Sequence, residues 1–305
     1  MHKKFVLLFL SVIMITLGLK AQTESSGDAP TEKSLLWKIE GNGLTTPSYL
    51  FGTIHMIGEE DFILRENVKS ALENAAQITF EINMDDMTDM AAMLPLVMKM
   101  FMKNDTTLRD LLVEEDYLLV KEHFKKSDLP LPMSFLEKMK PMFLTMLDPE
   151  AMGGMSMEDG EVVSYEMELY EMAQKQNKEI GGLETAEYQM SVFDKIPYKA
   201  QAEMLVQGIK STEDTAAIDQ LKVMVEMYKN QDIQGMQEMM QGEGSDVKGY
   251  EDVLLLDRNR NWIPVMQKMM SKKQVFFAVG AGHLGGEEGV IALLRDAGYT
   301  VTPVE

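Results

Sequence analysis

The pattern Gly-x-x-His-x-x-Gly-Glu-Glu occurs twice in this chain, each time after an apolar, β-like run. Residues 50–60 read LFGTIHMIGEE and residues 278–288 read AVGAGHLGGEE. Gly52, His55, Gly58, Glu59 and Glu60 therefore match Gly280, His283, Gly286, Glu287 and Glu288. The repeat predicts two equivalent strand–turn units. A strand that ends on glycine can turn there, because the missing Cβ permits positive φ and close backbone approach. The histidine then projects from the loop beyond the strand's carboxyl end, the edge where α/β sheets bind ligands. Two such loops can bring both imidazoles to one cleft.

Composition narrows the chemistry such a cleft can perform. The 305 residues include 4 His and no Cys. That excludes disulfides, Cys-ligated zinc, iron–sulfur clusters and thiol nucleophiles. A divalent metal here depends on imidazole nitrogen and carboxylate oxygen. The formal charge of −20 argues against nucleic-acid binding, which needs a basic footprint. An apolar fraction of 45% is that of a folded globular protein.

Glu81 is the leading carboxylate candidate. It lies in QITFEIN, near the end of an otherwise apolar strand, where an acid is costly unless paired, coordinating or exposed. Glu184 follows the β-like KEIGGL run and is the second. Arg258 and Asn259, in LLLDRNRNW, form a polar cluster on a helix whose other face is apolar. Arg258 can hold a substrate carboxylate or orient Glu81 or Glu184.

Each assignment has a plainer rival. A histidine beside glycine is also an ordinary turn residue, Glu81 a satisfied structural acid, and Arg258 and Arg260 surface arginines. Glu59 and Glu60 can face water, and Glu287 and Glu288 can open a helix, where acids are favourable. His123, in KEHFKK, reads as a surface helix residue. Gly280–Gly285 satisfies G-x-G-x-x-G, yet too little chain follows it for a dinucleotide-binding half. The 29 Met suit core or groove filling far better than a copper site.

Residues 1–21 read as a secretory leader: Lys3 and Lys4, an apolar run from Phe5 to Leu19, and a small residue at Ala21. Its removal takes three lysines and no acid, moving the net charge from −20 to −23. Residues 22–34 read as a linker, and the mature chain is expected to have no transmembrane span. Residues 35–305 read as a single domain of class α/β (α+β). Its central sheet is built from N- and C-terminal segments, with the α/β core at about 35–84, 178–184 and 246–305. A large helical insertion is expected at about 85–177 and 185–245. Met84, Met87, Met90 and Met93 suggest a helical stripe leading into the insertion, Thr107 or Asp110 a cap for a helix within it toward Lys126, and Asp246–Met270 one long helix in the core.

Several blocks together resemble the TraB/GumN family, whose relatives include the PrgY pheromone-shutdown proteins and the animal Tiki metalloproteases. They are LLWKIEGNG, SYLFGTIHMI, ITFEINM, KEIGGLETAEYQ, LLLDRNRNW and FFAVGAGHLGGEEGVIALLRDAGYTVTPV. The resemblance implies a metal site at the two motif histidines, His55 and His283, and the strand glutamate, Glu81, with Mn or Co favoured. The family's Gly-Leu-Glu-Thr block falls on Gly182 to Thr185, and its Arg-Asn pair on Arg258 and Asn259. The helix before that block often carries an Asp in the family. Glu166 stands there in this chain, a departure that lengthens the side chain and leaves its role unassigned.

The expectation is an exported or periplasmic metal-dependent hydrolase acting on a peptide or small-protein substrate. His55, His283 and Glu81 would hold the divalent metal, and Glu81, Glu184, Arg258 and Asn259 would serve catalysis. Its rivals are a non-catalytic protein that binds or sequesters peptides in the envelope, and a structural role in which the histidines only hold the two loops.

Overall fold

The computed structural model describes residues 33–88, 90–127, 129, 131–148, 162–212, 215–241 and 249–305. The leader, most of the linker and parts of the expected helical insertion lie outside the described residues.

Among the described residues eight strands form two sheets. They are β1 (Leu36–Gly41), β2 (Ser48–Thr53), β3 (Ile57–Gly58), β4 (Gln77–Ile82), β5 (Val162–Val163), β6 (Glu179–Glu184), β7 (Val275–Gly280) and β8 (Tyr299–Pro303). Six of them make a mixed sheet in the order β6-β4-β7-β2-β1-β8, and β3 pairs with β5. Strands β6, β4, β7 and β2 are mutually parallel, whereas β1 runs antiparallel to both β2 and β8. Strand β7 is hydrophobic on both faces, as buried parallel strands are, whereas β4 alternates Ile78, Phe80 and Ile82 with Gln77, Thr79 and Glu81. Val275 through Val279 are all buried, and so is every residue of β4.

The helices are α1 (Glu66–Asn74), α2 (Met90–Lys99), α3 (Leu108–Leu111), α4 (Glu114–Lys126), α5 (Met133–Leu136), α6 (Pro141–Leu147), α7 (Tyr165–Lys175), α8 (Ala186–Val192), α9 (Tyr198–Thr212), α10 (Thr215–Lys229), α11 (Ile233–Gln241), α12 (Asp257–Met270) and α13 (Val290–Asp296). They divide between two compact units. The sheet unit comprises the described residues of 33–84, Val162–Thr185 and Lys222–Glu305. It therefore includes α7, α11 and the end of α10, which the sequence pattern assigned to the helical insertion. Within it α7 lies against β4 and β6, and α12 against β6 and α13. The helical unit comprises the described residues of 85–161 and Ala186–Leu221. There α9 packs against α3, α4 and α6 through a face that includes Ala202, Leu205, Val206 and Ile209. No helix among the described residues is long and apolar enough to cross a membrane.

Several local expectations are corrected. The Met84–Met93 stripe is a 3-10 turn at Asp86–Thr88 followed by α2, with Met84, Met87 and Met93 buried. The helix toward Lys126 is two helices, because Leu112 and Val113 are extended; Thr107 starts only the first, donating its N–H to Asp110 at 2.8 Å. The long C-terminal helix contains a π-helical stretch, Asp252–Leu256, that runs into α12. The helix after the second motif starts at Val290 rather than beside Glu287. His123 is not a surface residue: its side chain is only 8% exposed and its Nε2 meets buried Asp148 Oδ2 at 2.8 Å.

The register of β2 against β7 sets Gly52 beside Val279 and Thr53 beside Gly280. Both motifs thus leave the sheet at the same end of neighbouring parallel strands. Neither Gly52 nor Gly280 has positive φ. The requirement for glycine is one of space: a Cβ on Gly52 would stand 2.6 Å from Leu284 Cδ1 and 3.1 Å from Ala281 Cα. Gly52→Ala should therefore lose about 1–3 kcal/mol of stability in urea denaturation, the usual cost of overpacking. A loss under about 0.5 kcal/mol, the range of neutral surface changes, would show that the second turn yields freely.

Candidate functional site

The carboxyl ends of the parallel strands supply most of the site, and all its members belong to the sheet unit. His55 follows β2, Glu81 is the fifth residue of β4, Glu184 ends β6, and His283 lies in a 3-10 turn directly after β7. Helix α7 contributes Glu166, and α12 contributes Arg258, Asn259 and Trp262.

Each histidine is held through Nδ1. His55 Nδ1 lies 2.8 Å from Glu166 Oε1, and that carboxylate also accepts Thr53 Oγ1–H at 2.6 Å. His283 Nδ1 lies 2.6 Å from Asn259 Oδ1. Asn259 Nδ2 donates to the Glu288 carbonyl at 2.9 Å, which orients the amide and makes its Oδ1 the acceptor. His283 is consequently the Nδ1–H tautomer, with its lone pair on Nε2. The same conclusion follows from Arg258 Nη1, 3.2 Å from that Nε2, because a guanidinium can only donate. The Trp262 ring fixes the imidazole from the side, with centroids 4.4 Å apart.

Arg258 ties the acids together. Its Nη2 donates to Glu81 Oε2 at 2.5 Å, while Nε and Nη2 donate to Glu184 Oε1 at 2.9 and 2.7 Å. Nη1 also donates to the Leu254 carbonyl at 3.1 Å, within the π-helical stretch. Glu184 Oε2 accepts Trp262 Nε1–H at 2.9 Å. The Gly280 N–H donates to Glu81 Oε1 at 2.9 Å.

These contacts set the protonation states. Burial alone would raise Glu81, but Arg258, then His283 and His55, hold it far below the usual carboxylate range. Burial raises Glu184, and Arg258 offsets this only in part. Burial also works against charge on His55, yet the Glu166 carboxylate overcomes it and lifts the imidazole to about 9. In return His55 and Thr53 hold Glu166 low against the effect of burial. Burial, joined by Arg258, pushes His283 down to about 3. One imidazole is therefore cationic and the other neutral at pH 7.

The two histidines and Glu81 converge on Gly280. A Cβ there would stand 3.3 Å from Glu81 Oε1, 3.6 Å from His283 Cδ2 and 3.9 Å from His55 Nε2. Among the described residues no group of three or more His, Asp or Glu side chains is placed so as to hold a metal ion. The donors nevertheless suit a divalent ion: an oxygen and two imidazoles, each oriented through Nδ1 in the manner typical of metal-bound histidines.

The sequence marked Glu166 only through the family resemblance, with no role, and did not single out Trp262. Glu166 sits in the first turn of a helix, where an acid is unremarkable. Glu59 and Glu60 are exposed, and Arg260 pairs with Asp257 and Glu288 outside the cluster.

A profile of the TraB/PrgY/gumN family matches residues 35–303. Among curated proteins, Metalloprotease TIKI1 of Danio rerio is 24% identical over 88% of this chain and 62% of its own length. Metalloprotease TIKI2 of the same organism is 24% identical over 88% and 60%. Metalloprotease TIKI homolog of Amphimedon queenslandica is 21% identical over 97% and 67%. The chain thus spans about six-tenths of the length of the first two. No solved structure matches significantly.

The His55–Glu166 pair has a definite pH signature. The folded imidazole titrates above its ordinary 6.5, so its contribution to stability is complete below 6.5 and is lost as pH rises through about 9. In metal-free protein the His55 ring resonances should titrate with a midpoint near 9. Glu166→Gln, which leaves burial dominant, should bring that midpoint below 6.5. An unmoved midpoint would show that Glu166 does not hold the charge.

Proposed function

The chain belongs to the TraB/PrgY/gumN family, and from that premise we propose that it is a metal-dependent peptide hydrolase whose divalent ion is held by His55, His283 and Glu81. The observation that carries this reading is the convergence of Glu81 Oε1, His55 Nε2 and the His283 ring around the missing Cβ of Gly280. The oriented Nδ1 atoms behind both imidazoles support it, and so do the distant relatives named as metalloproteases. Mn²⁺ or Co²⁺ is the ion expected.

Such an ion supplies Lewis acidity toward a scissile carbonyl and acidifies bound water. The protein's own residues do the rest. Glu166 and Asn259 keep the two imidazoles facing the same point. Glu81 presents Oε1 there, as ligand or as acceptor of a proton from the attacking water. Arg258 offers a fixed positive charge to a substrate carboxylate or a developing oxyanion. Glu184 has both oxygens engaged by Arg258 and Trp262, so its part is to anchor the guanidinium. The leader-like sequence of residues 1–21 supports a place for this activity outside the cytoplasm.

The test uses mixed peptides, Mn²⁺ or Co²⁺, and mass spectrometry of the products. Wild-type protein should cleave, and chelator, His55→Ala or His283→Ala should abolish cleavage. Asn259→Ala, which removes the support of His283 Nδ1 together with the bond to the Glu288 carbonyl, should lower activity about 10–100-fold. Equal turnover in all four proteins would sink the proposal. Peptide bound intact, without products, would instead assign the chain to non-catalytic binding.

A further inference from the structure

One guanidinium serves two buried carboxylates, and it serves them unequally. Glu184 receives Nε and Nη2, whereas Glu81 receives Nη2 alone. Arg258 Nη1 meanwhile faces the Nε2 lone pair of His283 at 3.2 Å. Arg258 thus occupies Glu81 and His283, two of the three groups assigned above to the metal. An ion at Glu81 Oε1 and the His283 ring would compete with the guanidinium for the Nε2 lone pair of His283 and, across the Glu81 carboxylate whose Oε2 Arg258 holds, would oppose its like charge.

We infer that Arg258 is an exchangeable internal cation: in metal-free protein it bridges Glu81 and His283, and on metal entry it withdraws onto Glu184. This rests on the metal reading above and adds a role for Glu184 and Arg258 that the reading does not require. The withdrawal leaves the guanidinium paired, because Glu184 already holds two of its nitrogens and Trp262 Nε1 holds the other Glu184 oxygen. The Trp262 ring, 4.9 Å from Arg258 Cζ, offers a second favourable contact. Metal-free protein meanwhile avoids an unpaired buried Glu81, which would be strongly destabilising. Arg258 would therefore stabilise the empty site and weaken metal binding by the same contact.

Mn²⁺ affinity by titration calorimetry, on the full chain, tests the exchange. Arg258→Gln should bind Mn²⁺ at least about tenfold more tightly than wild type, since the competing cation is gone. Glu184→Gln should bind it at least about tenfold more weakly, since the guanidinium loses the partner it withdraws to. In the Arg258→Gln background, Glu184→Gln should change the affinity by less than about twofold, because Glu184 acts through Arg258. A merely electrostatic neighbour would weaken binding equally in both backgrounds, and that result overturns the exchange. So does His55-dependent binding in wild type that Arg258→Gln leaves no tighter, and in that case the metal reading survives. Binding absent from wild type and Arg258→Gln alike, or untouched by His55→Ala, removes the metal reading and the exchange together. If Arg258→Gln does not fold, Arg258→Met, uncharged and apolar, takes its place as the second background with the same outcomes deciding, and unchanged or tighter binding on Glu184→Gln alone already overturns the exchange.

Discussion

The parallel pairing of β2 with β7 is the constraint on which the site depends. It joins segments from opposite ends of the chain, setting Thr53 beside Gly280. Closing so long a loop costs conformational entropy, and apolar burial must offset it. The strands supply that burial: Leu50, Phe276, Phe277, Ala278 and Val279 are all at most 1% exposed. Without this pairing the two histidines would hang on unrelated loops. With it, both leave the sheet at one edge, and β4 delivers Glu81 from the other side of β7.

A second constraint is electrostatic. The sheet edge gathers Glu81, Glu166 and Glu184 with His55, His283 and Arg258, and every one of these side chains except that of His55 is at most 11% exposed. Buried charge is tolerable only when paired and hydrogen-bonded. Glu166 meets His55, and Glu81 and Glu184 share Arg258. Asymmetry in these pairings leaves one histidine charged and the other neutral, although the two occupy equivalent motif positions. A duplicated sequence has thus produced two chemically different imidazoles, because α7 brings a carboxylate to one and α12 brings an amide and a guanidinium to the other.

Much of this was legible beforehand, for identifiable reasons. The strand QITFEI was readable at its full length because apolar runs with β-branched and aromatic residues favour strands. Glu81 stood out as an acid where acids are costly. Arg258 and Asn259 stood out against the apolar face of their helix, and both are buried. Glu166 was masked because the first turn of a helix welcomes acids whether or not they meet a partner. His123 was misread for a related reason: amid charged helix neighbours it looked exposed, and only tertiary packing brought Asp148 to it. The π-helical turn before α12 left no mark in the local pattern, since Asp252–Leu256 is as apolar as an ordinary helix segment.

By itself the sequence determined the residue types available for chemistry, the strand–turn character of both motifs, and the exclusion of cysteine-based sites. These follow from composition and local backbone preference, which act over a few residues. The partners of each histidine, the sharing of Arg258 and the reason for glycine at positions 52 and 280 were decided only by tertiary structure. Hydrogen bonds and close approaches between segments far apart in the chain depend on register and packing, and a register shift of one residue would turn each strand side chain to the opposite face.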